Sequence, residues 1–289
     1  MTFSTVVAGL DLGPRTQAVA EFAHALASRL GARLVHLHAE DDAPLTPEWA
    51  ELAEEADRLR REAAERHSVQ GGAEVVWRAG PAAAALQDEA EARRAGFVVV
   101  GTGATGASPD LGKSASHMLR SVTVPLCLVP THEGAHTALA GGNIVAPVDF
   151  SRESNPALGF VRELAERLGV KVSLVTVVRP PGLVAHLGPK GAARLPELLQ
   201  ARMDDAQRDL REEATAAGLE QSSLHVVEGD DAAEAILEEA QEVGADLIVL
   251  PAHDKGRIER FFIGSTTEKL ARISDRPVLV FPPSWLPKG

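Results

Sequence analysis

A chain of 289 residues, 45% apolar and 24% charged, is long enough for two ordinary domains and apolar enough to bury a core in each. A formal net charge of -12 argues against a surface that condenses on nucleic acid or anionic lipid, because both need clustered Lys and Arg to displace counterions. One cysteine, Cys127, excludes an internal disulfide, and no apolar run approaches the length that crosses a bilayer, so the expectation is a cytoplasmic protein with neither nucleic acid nor membrane as partner.

The N-terminus MTFSTVVAGLD has no basic start and reaches Asp11 quickly, which makes it a first strand, Thr5 to Leu10, and not a signal peptide. Short apolar runs bounded by Gly, Pro or charge are strands buried on both faces, and their alternation with helices implies a parallel sheet. A helix follows and ends at Gly31 as a left-handed cap would end it. Then come a second strand, Arg33 to His38, and a helix with an apolar stripe at Trp49, Leu52, Ala56 and Leu59. Ala73 to Trp77 is the third strand and Ala82 to Arg93 an Ala-rich helix. The fourth strand runs into Gly101, a glycine-rich loop leads to a helix at about Gly112, and Val124 to Val129 is the fifth strand, with Cys127 expected as a buried, inert thiol.

The second half repeats the unit. Asn143 to Val148 ends at Asp149 as the first strand ends at Asp11. Ala157, Phe160, Val161, Leu164, Ala165 and Leu168 recur at three- and four-residue steps on the next helix, which Gly169 closes. Lys171 to Val178 is a strand, Leu195, Leu198, Leu199 and Met203 begin the stripe of a long helix, and Leu224 to Val227, Ala232 to Val243, Leu247 to Leu250 and Val278 to Phe281 complete the set. A repeat this long means two duplicated domains. The division falls in THEGAHTALAGG, giving a first domain of residues 1–132, a linker of 133–142 and a second domain of 143–289. The fold class is α/β, with two tandem five-stranded parallel-sheet domains. Right-handed crossovers place strands one and four of each side by side, so a crevice opens at their carboxyl ends where Asp11 meets Gly101 and Asp149 meets Pro251.

The loops carry the candidate chemistry. Gly101-x-Gly103-x-x-Gly106 matches a dinucleotide fingerprint in letters, but it follows the fourth strand and opens no helix. Gly106 to Ser114 approaches a phosphate loop with five residues where four are needed. A glycine-rich loop that holds an anion with Lys113 and Ser114 is the better version, against a loop with no ligand. His36 and His38 share a strand face at metal-binding spacing without a third ligand, so a structural role is expected. No Ser/His/Asp order and no carboxylate pair stands in a catalytic context.

The duplicated unit resembles the universal stress protein family: a strand ending V-A-x-D, a second strand ending near His, and a fourth strand leading into G-x2-G-x9-G-[ST]. The match is most specific at Gly264-Ser265, the E-K-L that follows, and Pro277-Val278-Leu279-Val280. The resemblance implies Rossmann-like, adenine nucleotide alpha hydrolase-like domains that bind ATP or AMP, with Mg accompanying the nucleotide. It places Asp11 and Asp149 near an adenine. It assigns ribose and phosphates to Gly101, Thr102, Gly103, Gly112, Lys113 and Ser114 in the first half, and to Ala252, His253, Gly256, Gly264, Ser265 and Thr266 in the second.

Both halves depart from that pattern. In the second, Pro251 and Asp254 stand where the first two glycines belong. Proline has no N–H, and a carboxylate ~5 Å from a phosphate at an effective dielectric of about 20 costs about 3 kcal/mol. Lys255, Arg257 and Arg260 offset part of this, and Ser265 acting only as an N-cap is the plain alternative to an anion seat. The first half keeps its glycines, but Gly101 and Gly112 are eleven steps apart where the pattern has thirteen.

The reading is a tandem universal stress protein, a stress-response or regulatory factor with no catalytic site of its own, that binds an adenine nucleotide weakly or selectively in one half; weak ATP hydrolysis stays open. The rival is a nucleotide-free module with degenerate sites that acts through a protein partner. An exposed apolar fifth strand invites aggregation, so Leu126 to Val129 and Val278 to Phe281 are expected to pair within the chain as a pseudo-dimer, with a homodimer also open. Trp285 is expected against the sheet margin.

Overall fold

The computed structural model describes residues 3–11, 13, 16–40, 58, 61–62, 72–103, 111–121, 123–151, 154–180, 194–252 and 264–285. The stripe from Trp49 to Leu59, Gly106, and the loop residues His253, Asp254, Lys255, Gly256, Arg257 and Arg260 lie outside the described residues.

In the first half the elements are β1 (Thr5–Gly9), α1 (Thr16–Leu30), β2 (Arg33–Glu40), β3 (Glu74–Ala79), α2 (Ala82–Arg93), β4 (Phe97–Gly101), α3 (Lys113–Arg120) and β5 (Leu126–Val129). The second half contributes β6 (Asn143–Pro147), α4 (Ser154–Leu168), β7 (Lys171–Val178), α5 (Leu195–Ala216), β8 (Ser223–Glu228), α6 (Ala232–Glu242), β9 (Leu247–Pro251), α7 (Ser265–Ile273) and β10 (Val278–Phe281), followed by a 3-10 turn, Pro283–Trp285. The strands form one ten-stranded sheet in the order β3-β2-β1-β4-β5-β10-β9-β6-β7-β8. Each half is thus wound 3-2-1-4-5, the order that right-handed crossovers favour.

Alternation within the strands sorts the core into two layers. Val6, Ala8, Phe97 and Val99 face α1, while Val7, Val98 and Val100 face α2 and α3. The same division holds in the second half, with α4 and α5 on one face and α6 and α7 on the other. Strands covered on both sides need apolar residues at every position, which is why these runs show no polar period.

The halves meet where β5 and β10 pair antiparallel, with Val278 opposite Leu128, Leu279 opposite Cys127 and Val280 opposite Leu126. Above this seam Phe160 stacks on Phe281 with ring centroids 4.1 Å apart, and Phe3 stacks on Trp285 at 6.2 Å and an interplanar angle of 10°. The Arg29 Nη1 donates to the Leu168 carbonyl at 3.1 Å, tying α1 to the end of α4.

One local expectation changes. The buried stripe of α5 is Ala206, Leu210 and Ala214, whereas Leu198 is 51% exposed. Leu195, Leu199 and Met203 in the first turns are only half-buried. The linker is anchored: Gly141 and Gly142 N–H donate to Asp246 Oδ2 at 3.0 and 2.9 Å, and His136 N–H donates to the Asp275 carbonyl at 2.7 Å. Asp246 is buried, and these donors satisfy a carboxylate that would otherwise be costly to desolvate.

Candidate functional site

The adjacency of β1 and β4, with Val7 opposite Val98 and Gly9 opposite Val100, brings Asp11 and Gly101 to one cleft of about 620 Å³. Asp11 is held in place by its own turn: Oδ1 accepts from Gly13 N–H at 2.9 Å and from Thr16 Oγ1 at 2.6 Å. An aspartate bonding the backbone two residues on is a local device that needs no tertiary partner. Oδ2 takes no partner among the described residues.

Across the cleft, Gly103 adopts φ +66, and a Cβ there would lie 3.2 Å from Gly112 Cα. Gly112 N–H donates to the Thr102 carbonyl at 2.7 Å, so the strand end and the helix start touch backbone to backbone. Only glycine combines that φ with that approach. Gly112 is the N-cap of α3 without a side-chain cap, and the first turn of the helix holds no acidic residue. Its free N–H groups and positive dipole end therefore stand beside Lys113, an arrangement that an anion stabilises.

Gly101, Gly103, Gly112, Lys113 and Ser114 line the cleft with Asp11. Thr102 does not: it is 4% exposed and its N–H donates to the Val129 carbonyl at 2.8 Å. Gly101 is glycine for packing reasons, since a Cβ there would sit 2.9 Å from Thr131 Cγ2 and 3.1 Å from Val19 Cγ2. Thr131, just past β5, is a lining residue that sequence reasoning missed. Nothing local marks it, because it enters the wall from outside the loop that carries the motif.

The second cleft, about 600 Å³, lies at the ends of β6 and β9 and contains Asp149, Pro251 and Thr266. Asp149 Oδ1 accepts from Ser151 N–H at 3.0 Å, the same turn that Asp11 makes. Gly264 is the N-cap of α7 with φ -62 and ψ 151, close to the -56 and 157 of Gly112. Ser265 is accordingly the first residue of the helix and not its cap. Gly264 and Ser265 do not line the cleft, and Ala252 is buried with its N–H on the Phe281 carbonyl at 2.8 Å, the counterpart of Thr102.

The second cleft also has walls that the sequence did not single out: Phe150, Arg179, Arg202, Asp205 and Asp209. Arg202, Asp205 and Asp209 are spaced to share one helix face, a signal present in the sequence, but only the packing of α5 across β7 shows what that face looks onto.

His36 and His38 are 1% and 2% exposed; His38 Nδ1 lies 3.0 Å from the Leu10 carbonyl and its ring stacks on Trp77 at 4.7 Å. Among the described residues no group of three or more His, Cys, Asp or Glu is gathered as a metal centre, and no helix is long and apolar enough to cross a membrane. Complete burial pushes the Cys127 thiol well above the ordinary range.

A family model described as the Universal stress protein family matches residues 2–130 and again residues 142–282. Stress response protein NhaX of Bacillus subtilis (strain 168) is 26% identical over 159 residues, which cover 47% of this chain and 95% of that protein. The crystal structure of a universal stress protein from Archaeoglobus fulgidus DSM 4304 matches with a TM-score of 0.69 at 21% identity, covering 98% of this chain and 100% of that one. That of PA1789 from Pseudomonas aeruginosa PAO1, a functionally unknown protein, matches with a TM-score of 0.63 at 19% identity, over 98% and 93% of the two chains. At these identities the two structures establish a shared fold.

Proposed function

The chain belongs to the universal stress protein family, two copies of whose domain it carries in tandem, and from that premise we propose that it is a non-catalytic stress-response regulator whose first half binds an adenine nucleotide. The observation that carries this reading is the contact between Gly103 and Gly112, which sets an uncapped helix start and Lys113 opposite Asp11 in one cleft. Phosphates sit against the first turn of α3, where unpaired N–H groups, the helix dipole and the Lys113 ammonium all favour negative charge. The base lies on the apolar wall of Leu37, Ala39 and Leu86, within reach of the free oxygen of Asp11. Mg, where it accompanies ATP, arrives as part of the ligand. The clefts hold no arrangement of base and nucleophile that would make hydrolysis their main task among the described residues.

Heating the purified full chain and identifying what it releases by mass, followed by calorimetric titration with ATP and AMP, tests the reading. Stoichiometric nucleotide, or saturable binding to nucleotide-free protein, supports it. Protein that releases nothing and gives no heat with either nucleotide overturns it in favour of a module acting through a protein partner.

A further inference from the structure

Each half sends the segment that follows its fifth strand across the seam to the other half. After β10, Trp285 stacks on Phe3 of the first half. After β5, residues 131–142 run along the second half: the His136 N–H donates to the Asp275 carbonyl at 2.7 Å, His136 Nε2 stands 3.3 Å from Asp246 Oδ1, and Leu139 is buried in the core. The N–H groups of Gly141 and Gly142 end the run on Asp246 Oδ2. Gly141 is pinched there, since a Cβ would come within 2.7 Å of the Arg29 guanidinium that ties α1 to α4. Thr131, at the root of this segment, lines the first cleft, whereas the described residues after β10 take no part in the wall of the second. The Thr131 Cγ2 packs over Gly101, and its hydroxyl is buried with no hydrogen-bond partner among the described residues. A hydroxyl so hidden is unfavourable until something pairs with it.

We infer that residues 131–142 are a strap through which a ligand in the first cleft acts on the second half, with Thr131 as the lever. A phosphate or hydroxyl beside Gly101 bonds Thr131 only in a conformer that turns Oγ1 toward the cleft, and χ1 of a β-branched residue is tied to its backbone. The filled cleft therefore favours a shifted strap root, and the seated strap favours an empty cleft. At the far end the shift is felt by Asp246, a buried carboxylate held by Gly141, Gly142 and His136 of the strap. The choice of ATP as probe rests on the nucleotide reading of the first cleft; the tie between Thr131 and Asp246 does not.

Amide exchange at Gly141 and Gly142 in the full chain, followed by NMR with and without ATP, decides it. ATP should speed this exchange about fivefold or more in the natural chain and leave it unchanged in Thr131→Val, which keeps the shape and removes the hydroxyl. Without ATP, Thr131→Val should slow the same exchange, because seating the strap no longer buries an unpaired hydroxyl. Exchange that saturating ATP does not change, or that responds to ATP equally in Thr131→Val, overturns the coupling. A chain that takes no ATP sinks the nucleotide reading of the first cleft; the coupling then stands on slower exchange in nucleotide-free Thr131→Val and falls without it.

Discussion

Leu279 of β10 lies directly opposite Cys127 of β5 in the antiparallel pair that joins the two halves, and both side chains are buried within the seam. The pair removes from each half an apolar strand edge that would otherwise template aggregation. Because the seam is closed, the Cys127 thiol is protonated and out of reach. It should not react with a thiol reagent in the native chain and should react once per chain in strong denaturant. Leu279→Asp should destabilise the protein by at least about 3 kcal/mol in urea unfolding, since an unpaired carboxylate would be buried there.

Gly103→Ala should lower stability by about 1–2 kcal/mol, the usual cost of a left-handed alanine, and lower ATP affinity as well, because the Gly112 backbone must retreat from the new Cβ. Gly31→Ala is the control. Gly31 has φ +62, and an added methyl group there would meet nothing within 4 Å, so it should lose stability alone. Thermal unfolding and calorimetry on the two variants separate strain from binding.

Lys113→Glu should weaken ATP binding roughly tenfold or more while AMP suffers less, because the number of phosphate charges near α3 sets the loss. The difference should shrink as salt rises. Equal losses for ATP and AMP at all ionic strengths would place the phosphates elsewhere.

Acid should loosen the turn between α7 and β10, where the Asp275 carboxylate accepts from Arg276 and Gln241. Burial raises the carboxyl pKa of Asp275, but the hydrogen bonds and charge of Arg276 and a hydrogen bond from Gln241 outweigh it, so the net shift is downward. A depressed folded value contributes stability that is present above the ordinary 3.8 and lost as pH falls through the lower folded value. Urea unfolding between pH 5 and pH 2 should show a steeper decline for the natural chain than for Asp275→Asn.

Much of this protein was legible in the order of its residues. Runs such as Phe97 to Gly101 and Leu247 to Pro251 could only be strands covered on both faces, and matching the two halves exposed Asp11 and Asp149 at equivalent ends. Strand order followed from crossover handedness, and the turn that fixes each aspartate involves only its near neighbours. The tertiary structure decided the rest. That Gly101 makes room for Thr131, that Asp205 and Asp209 wall the second cleft, that α5 buries Ala206 and leaves Leu198 outside, and that Gly142 rests on Asp246 all depend on segments far apart in the chain. Periodicity reports which face of an element is apolar, because that property is repeated every few residues. It carries no record of which distant surface that element will meet, and the chemistry of a cleft is set by that meeting.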